Sequence, residues 1–203
     1  MLGLSFLGRD RLRLPGCRVT LRIPTTSDYE EWSSLRRRSR DFLEKWEPRW
    51  ASDELDRAAW RLRVRRYRDE YSRGTGVPFL IELNDTGSIV GGISVGNIRR
   101  GVAQSGQIGY WMGEPYAGKG LMGEAVGVLS RYCFESLRLH RIEAACIPDN
   151  LRSIRVLEKA GFTREGLLRS YLRINGDWQD HYLYALLAGE YHEQGSRGAA
   201  VES

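Results

Sequence analysis

The residue pattern of this 203-residue chain specifies an α/β protein: one domain with a mixed, mostly antiparallel, twisted sheet of about seven strands and helices on both faces. Three observations carry that expectation. Apolar residues recur with period two in some segments and with a helical period in others, and the two kinds alternate along the chain. Three strand-like segments follow one another between residues 77 and 112 with short breaks, which makes them antiparallel neighbours. A strand–helix–strand unit comes next, and its crossover calls for a parallel neighbour in the same sheet.

The elements follow in order. Cys17–Ile23 alternates apolar and polar residues and reads as a strand. Thr26, Ser27 and Asp28 offer cap oxygens to an amphipathic helix reaching about Arg38. A second helix is expected over Glu54–Arg73, with Leu55, Ala59, Leu62 and Tyr67 as its apolar stripe. Strands follow at Val77–Leu83, Ser88–Ile98 and Gln104–Met112, the first two joined through Asn84, Asp85, Thr86 and Gly87. Gly120–Leu137 is a helix with Leu121, Ala125, Val128, Leu129 and Tyr132 on one side. Arg141–Ile147 is a strand, and Asn150–Ala160 a helix closed by Gly161, where a left-handed residue is wanted. Thr163–Ile174 and Trp178–Leu187 are the last strands, separated by Asn175, Gly176 and Asp177. The domain is drawn over residues 1–194, and Gly195–Ser203 reads as a loose tail.

Composition narrows the function classes. With 41% hydrophobic and 28% charged residues the chain has the balance of a water-soluble globular protein. No apolar run approaches the roughly 18 residues of a membrane span, and the opening segment lacks a basic stretch before its apolar one, which speaks against a signal peptide. Cys17, Cys133 and Cys146 are odd in number and lack metal-ligand spacing; they read as reduced thiols of a cytoplasmic protein, with no metal site. Of the 31 basic residues only Lys45, Lys119 and Lys159 are lysines, so 28 are arginines, and the net charge is +5. That skew is either the imprint of GC-rich coding or an attraction to an anionic partner such as a phosphorylated coenzyme, an acidic peptide or RNA. Arg36–Arg38 and the run Arg61–Arg68 are its densest parts.

The stretch with most chemistry is Gln107–Ala125. A strand ends at Met112, and a loop holding Gly113, Gly118 and Gly120 enters a helix directly. Glycines allow close approach of a ligand to the backbone, and a helix N-terminus adds free N–H donors and a partial positive charge. Together these suit a diphosphate, although a capping turn would look alike. About thirty residues on come Asn150–Ser153 and then Glu158–Phe162. On this pair of motifs, in this strand context, the chain resembles the GNAT superfamily of acyl-coenzyme A-dependent N-acetyltransferases, from the first strand to Leu187. Asp41–Pro48, Gly118–Met122, His140–Ile142 and Asn175–His181 are similar to the ribosomal-protein-alanine N-acetyltransferase (RimJ-type) branch.

The resemblance implies transfer of an acetyl group from acetyl-CoA to an amine by direct attack, the amine being a protein N-terminus with ribosomal protein S5 as the branch's named substrate. It implies backbone contacts to pantetheine from Tyr110, Trp111 and Met112, on a strand bulged to admit the thioester. Diphosphate contacts fall to Gly118, Lys119, Gly120, Leu121 and Met122, and a further pantetheine contact to Asn150, which would equally serve as a helix N-cap. Ser153 is the expected proton donor to the departing thiolate, its alternative being a plain surface serine. Glu47 is the expected base, working through water, its alternative a surface carboxylate; a backbone carbonyl with water would also suffice. The chain departs from the family pattern at three points. Pro115 stands where Gln or Arg opens the coenzyme motif, Gln107 where many relatives carry Glu, and Leu157 where a general-acid Tyr is frequent. An acyl-cysteine route through Cys146 is conceivable but foreign to the family; His140 and His181 read as structural, and Tyr171, Trp178 and Asp180 as slot or sheet residues. The rival readings are a GNAT for a small amine, a non-catalytic acyl-CoA-binding module, and an RNA- or ribosome-associated factor working through Glu54–Arg73. Monomer and homodimer both stay open.

Overall fold

The computed structural model describes residues 12–199, with side chains described as far as Glu193. The opening residues that speak against a signal peptide lie, up to residue 11, outside the described residues, as do residues 200–203 of the expected tail.

Among the described residues, eight strands form one sheet. They are β1 (Arg13–Pro15), β2 (Val19–Arg22), β3 (Val77–Leu83), β4 (Ile89–Arg99), β5 (Ser105–Met112), β6 (Arg141–Cys146), β7 (Thr163–Ile174) and β8 (Asp177–Leu187). Their order across the sheet is β1-β2-β3-β4-β5-β6-β8-β7. Every neighbouring pair is antiparallel except β5 with β6. The class and the parallel crossover agree with the expectation; the extra strand is β1. Its three residues, two charged or ring-locked, show no period of their own, and it is a strand only because Arg13, Leu14 and Pro15 lie against Arg22, Leu21 and Thr20.

Helices cover both faces. α1 (Tyr29–Arg38), followed by the short α2 (Arg40–Leu43), and α3 (Arg57–Arg73) cover one side through Trp32, Leu35, Trp60 and Val64, and α4 (Leu121–Arg131) and α5 (Leu151–Lys159) belong to the other. On the first face Trp32 and Trp60 stack at 4.4 Å over Leu80 and Ile89. On the second, Ala125 and Leu129 of α4 are fully buried with Ile81, Val90 and Ile142. Full burial of a Leu, Ile or Val side chain such as these contributes about 1.5–3 kcal/mol.

Three expectations need correction. The buried stripe of α3 is Trp60 and Val64, whereas Leu62 is 68% exposed. The stack on Trp32 sets the phase of the helix, and Leu62, two residues from each buried position, is turned outward. Arg36, counted in a basic run open to an anionic partner, is 4% exposed and turned inward, while Arg37 and Arg38 are exposed. Finally, β8 runs into α6 (Ala188–Ala199), which extends into the stretch read as a tail. Gly195, Ser196 and Gly198 are poor helix formers, but the Glu190 carboxylate accepts from the Leu187 N–H at 3.0 Å and starts the helix upstream of them.

Candidate active site

The site begins where the one parallel pair opens. β5 and β6 pair only at Ser105–Arg141, Gly106–Ile142 and Gln107–Glu143. Beyond that point β5 stays hydrogen-bonded to β4 as far as Met112, and β6 to β8 as far as Cys146, so their facing edges part into a cleft. The Gly113 N–H donates to the Val90 carbonyl at 2.9 Å. By the alternation of an antiparallel ladder, Ile108, Tyr110 and Met112 therefore turn their peptide groups toward the cleft. The opening needs no bulge near Gly109: the β4–β5 register is unbroken from Gly91–Met112 to Gly96–Gln107, and its irregularity lies beyond, between Gly96 and Arg99. Gln107 sits at the closed end, its side-chain oxygen accepting from Asn97 at 2.7 Å.

The glycine loop lies between β5 and α4. Gly118 and Gly120 have φ of 76° and 78°, a left-handed conformation that side chains resist. A Cβ on Gly118 would meet nothing within 4 Å, and one on Gly120 only Arg18 Nη2 at 3.4 Å. Residues 118–120 are exposed, whereas Leu121 and Met122 bury their side chains and anchor the helix start. Helix geometry leaves the N–H groups of Leu121, Met122 and Gly123 without an acceptor inside α4. The corner is open and lined by amides, as a diphosphate requires.

Arg18, just before β2, closes one side of this corner, and nothing in its sequence position had singled it out. Its Nη1 donates to the Lys119 carbonyl at 3.1 Å and its Nε to Glu124 at 3.0 Å. Burial alone would push the Glu124 carboxyl up, but donation from the Arg18 backbone and side chain and from the Val19 N–H holds it below the usual carboxylate range. The first turn of α4 thus keeps a neutralised carboxylate, and Lys119 adds its own charge. The entry to the loop is fixed from α1: the Glu114 N–H donates to Ser39 Oγ at 3.0 Å, and Leu35 packs beneath Gly113.

Across the cleft, α5 starts at Asn150, whose Oδ1 accepts from the Ser153 N–H at 3.1 Å. The N-cap role is thereby present, and the carboxamide nitrogen is a separate donor. Ser153 Oγ lies 2.8 Å from the Tyr110 hydroxyl. Burial pushes the Tyr110 phenol well above its ordinary value, against the opposing Ser153 bond, so it stays protonated. This contact between β5 and α5 was invisible in the sequence, which marked Tyr110 for its backbone alone. Burial pushes the Cys146 thiol up to about 11, against the opposing influence of the Ser153 hydroxyl, which speaks against an acyl-cysteine. Leu157, where a general-acid Tyr is frequent, is wholly buried.

On the opposite face of β5 lies a cavity of about 170 Å³, floored by Ser94 and Gly109 and walled by Glu47, Arg63, Tyr67 and Trp111. Glu47 accepts from Arg36 at 2.9 and 2.6 Å and from the Trp50 indole at 2.8 Å. The Asn175 N–H donates to the Glu47 carbonyl at 3.0 Å, so two stretches far apart in sequence, 41–48 and 175–181, meet here. Several marked residues are employed elsewhere. His181 is 3% exposed, with Nδ1 against the Gln179 carbonyl and its ring edge-on to Tyr171. Asp180 accepts from the Ser170 N–H at 2.8 Å and holds the irregularity of β7. Trp178 is 64% exposed.

A parted parallel strand pair leading to an amide-lined loop defines a class of proteins, and comparison identifies it. Residues 18–163 match the family described as Acetyltransferase (GNAT) domain. The chain belongs to the GNAT family of acetyltransferases. It is 38% identical over 174 residues to a probable N-acetyltransferase, YjcK, of Bacillus subtilis, covering 86% of this chain and 96% of that protein. It is 31% identical over 181 residues to the [ribosomal protein uS5]-alanine N-acetyltransferase of Escherichia coli, covering 89% and 93%. The solved structure of Mycobacterium smegmatis RimJ in complex with CoA-disulfide superposes with a TM-score of 0.82 at 35% identity, covering 89% of each chain.

Proposed function

We propose that this enzyme transfers the acetyl group of acetyl-CoA to the α-amino group of a protein N-terminus, with the alanine end of ribosomal protein S5 as the substrate inherited from its relatives. The observation that carries the reading is that β5 serves both spaces: it edges the cleft that parts after Gln107 and leads to the glycine loop, and its residues Gly109, Tyr110 and Trp111 line the cavity at Glu47. Two reactants can thus approach one point from opposite faces of the sheet.

In this reading the diphosphate seats on the amides of Gly118, Lys119, Gly120, Leu121 and Met122. The pantetheine arm runs along Tyr110, Trp111 and Met112 and meets the Asn150 carboxamide. The Arg18 guanidinium supplies the positive side chain that Pro115 does not. A peptide N–H at the cleft edge of β5 stabilises the oxygen of the attacked thioester. The incoming α-amine has a pKa near 8, so roughly a tenth is neutral at pH 7. The amine gives up its proton to water as it attacks, the leaving thiolate takes a proton from Ser153 Oγ, and the serine regains one from that water, with the protonated Tyr110 hydroxyl at 2.8 Å holding it in place. The acceptor cavity favours a peptide end over a polyamine. Its lining carboxylate, Glu47, is matched by Arg36 at 2.6 Å, and the Arg63 guanidinium stands in the same wall, so the described lining offers no excess negative charge to a polycation.

The test is thiol release from acetyl-CoA with peptides that begin with Ala, Ser or Thr, compared with spermidine and an amino sugar. Turnover confined to the small amines would overturn the protein substrate, and coenzyme binding without turnover on any amine would make this a non-catalytic binding module.

A further inference from the structure

We infer that Arg36 and Glu47 are a positioning pair that mounts the acceptor side of the site, and that Glu47 is not the proton acceptor of the reaction. The inference rests on the acceptor reading above for the meaning of the cavity, but the pair itself is a feature of the fold. Arg36 leaves the last turn of α1 and is 4% exposed. A guanidinium so placed is costly unless it is closely paired. Two of its nitrogens hold both oxygens of Glu47, its Cζ lies 4.3 Å from the centroid of the Trp50 ring and 4.9 Å from that of Trp111, and its Nε is buried with no hydrogen-bond partner among the described residues. One side chain therefore joins α1, the loop at 44–50 and β5, the strand that edges the cleft.

The link continues on both sides. The Glu47 carbonyl takes the Asn175 N–H, and the Arg49 guanidinium stands 3.3 Å from where a Cβ on Gly176 would be, so the turn between β7 and β8 is docked on the same loop. Glu54 stands 3.9 Å from Arg36 and 2.6 Å from Arg63, a cavity wall on α3. Five segments around the acceptor cavity, namely α1, the loop at 44–50, β5, the β7–β8 turn and α3, thus meet at one ion pair. A general base needs a free lone pair within reach of the amine proton or of one bridging water. Three of the roughly four lone-pair sites of Glu47 are taken by two guanidinium N–H groups and an indole N–H, a geometry that fixes a loop rather than relays a proton.

The variants separate the two roles. Glu47→Gln keeps an acceptor for the Trp50 N–H and for one Arg36 nitrogen. A positioning role predicts kcat within about threefold of the parent and an unaltered kcat–pH profile, whereas loss of a general base lowers kcat about 10²–10⁴-fold. Glu47→Ala and Arg36→Met, which release the loop, are expected to raise the peptide KM about tenfold with the Kd of CoA unchanged. Arg36→Met/Glu47→Gln should add little to Arg36→Met alone. Hydrogen exchange provides a readout independent of turnover: in Arg36→Met, amides of 44–50 and 175–178 lose protection while those of 118–123 do not. If Arg36→Met does not fold, Arg36→Lys, which keeps the charge without the fork, should show the same KM effect in weaker form. A kcat loss of a hundredfold or more in Glu47→Gln at unchanged peptide KM overturns the inference, as does unchanged protection of 44–50 and 175–178. Failure of the functional reading looks different, since wild-type protein would then release no thiol with any peptide while the exchange result would stand.

Discussion

At the scale of single residues, the chemistry depends on small atoms held in unusual places. Gly120 has a φ of 78° and borders only Arg18, so an indole there both strains the turn and fills the corner. Gly120→Trp is expected to remove detectable CoA binding in a calorimetric titration; an unchanged Kd would show that the loop does not take the diphosphate. Ser153 touches Tyr110 at 2.8 Å and receives the cap from Asn150 through its backbone. Ser153→Ala leaves the cap intact because the N–H remains. We expect kcat to fall about ten- to a hundredfold with the Kd of CoA and the peptide KM nearly constant, measured in steady-state assays. Equal turnover would remove Ser153 from the mechanism. These residues were legible to different degrees. Gly118, Gly120 and Asn150 stand out because their spacing is local. Tyr110, Arg18 and Arg36 do not, because their partners lie 43, 106 and 11 residues away and nothing in a linear pattern brings them together.

At the scale of elements, α1 and α3 are held to the sheet by the Trp32–Trp60 stack, with the Trp60 indole also donating to the Thr25 carbonyl at 3.1 Å. Trp60→Ala removes a side chain that is 1% exposed and is expected to cost about 3–5 kcal/mol in denaturant unfolding. A loss below about 1 kcal/mol would mean that α3 contributes little to the folded state. The strands from β3 to β8 were readable because turns such as Asn175–Gly176 and alternating side chains act over a few residues. The helix stripe of α3 was misread because four arginines between residues 61 and 66 leave several apolar phases open, and only contact with Trp32 selects one. β1 was missed for a related reason: three residues carry too little periodicity to announce a strand.

At the scale of the whole molecule, the N-terminal strands are tied to the rest by carboxylates. Glu82 accepts from Arg13 and Arg22, both at 2.5 Å, and Glu124 from Arg18. Burial would raise the Glu82 carboxyl, but its bonds to Arg13 and Arg22 outweigh it and hold it low; Glu124 is likewise lowered. Groups depressed in the folded state contribute stability that is complete above the unfolded value, about 4.3, and lost as pH falls through the depressed folded values. The melting temperature should therefore decline below about pH 4.3, with amides of residues 13–22 losing exchange protection first. A melting temperature constant from pH 6 to pH 3 would refute this.

What the amino-acid order determined by itself was the alternation of strands and helices, the mixed sheet that a strand–helix–strand unit implies and the glycine loop at the head of α4, because each is written in contacts between near neighbours. Tertiary structure alone decided that β5 and β6 part after Gln107, that Tyr110 meets Ser153, and that Glu47 is bound to Arg36. Those outcomes come from the packing of distant segments against a common sheet, where the burial of one side chain is settled by others far away in the chain.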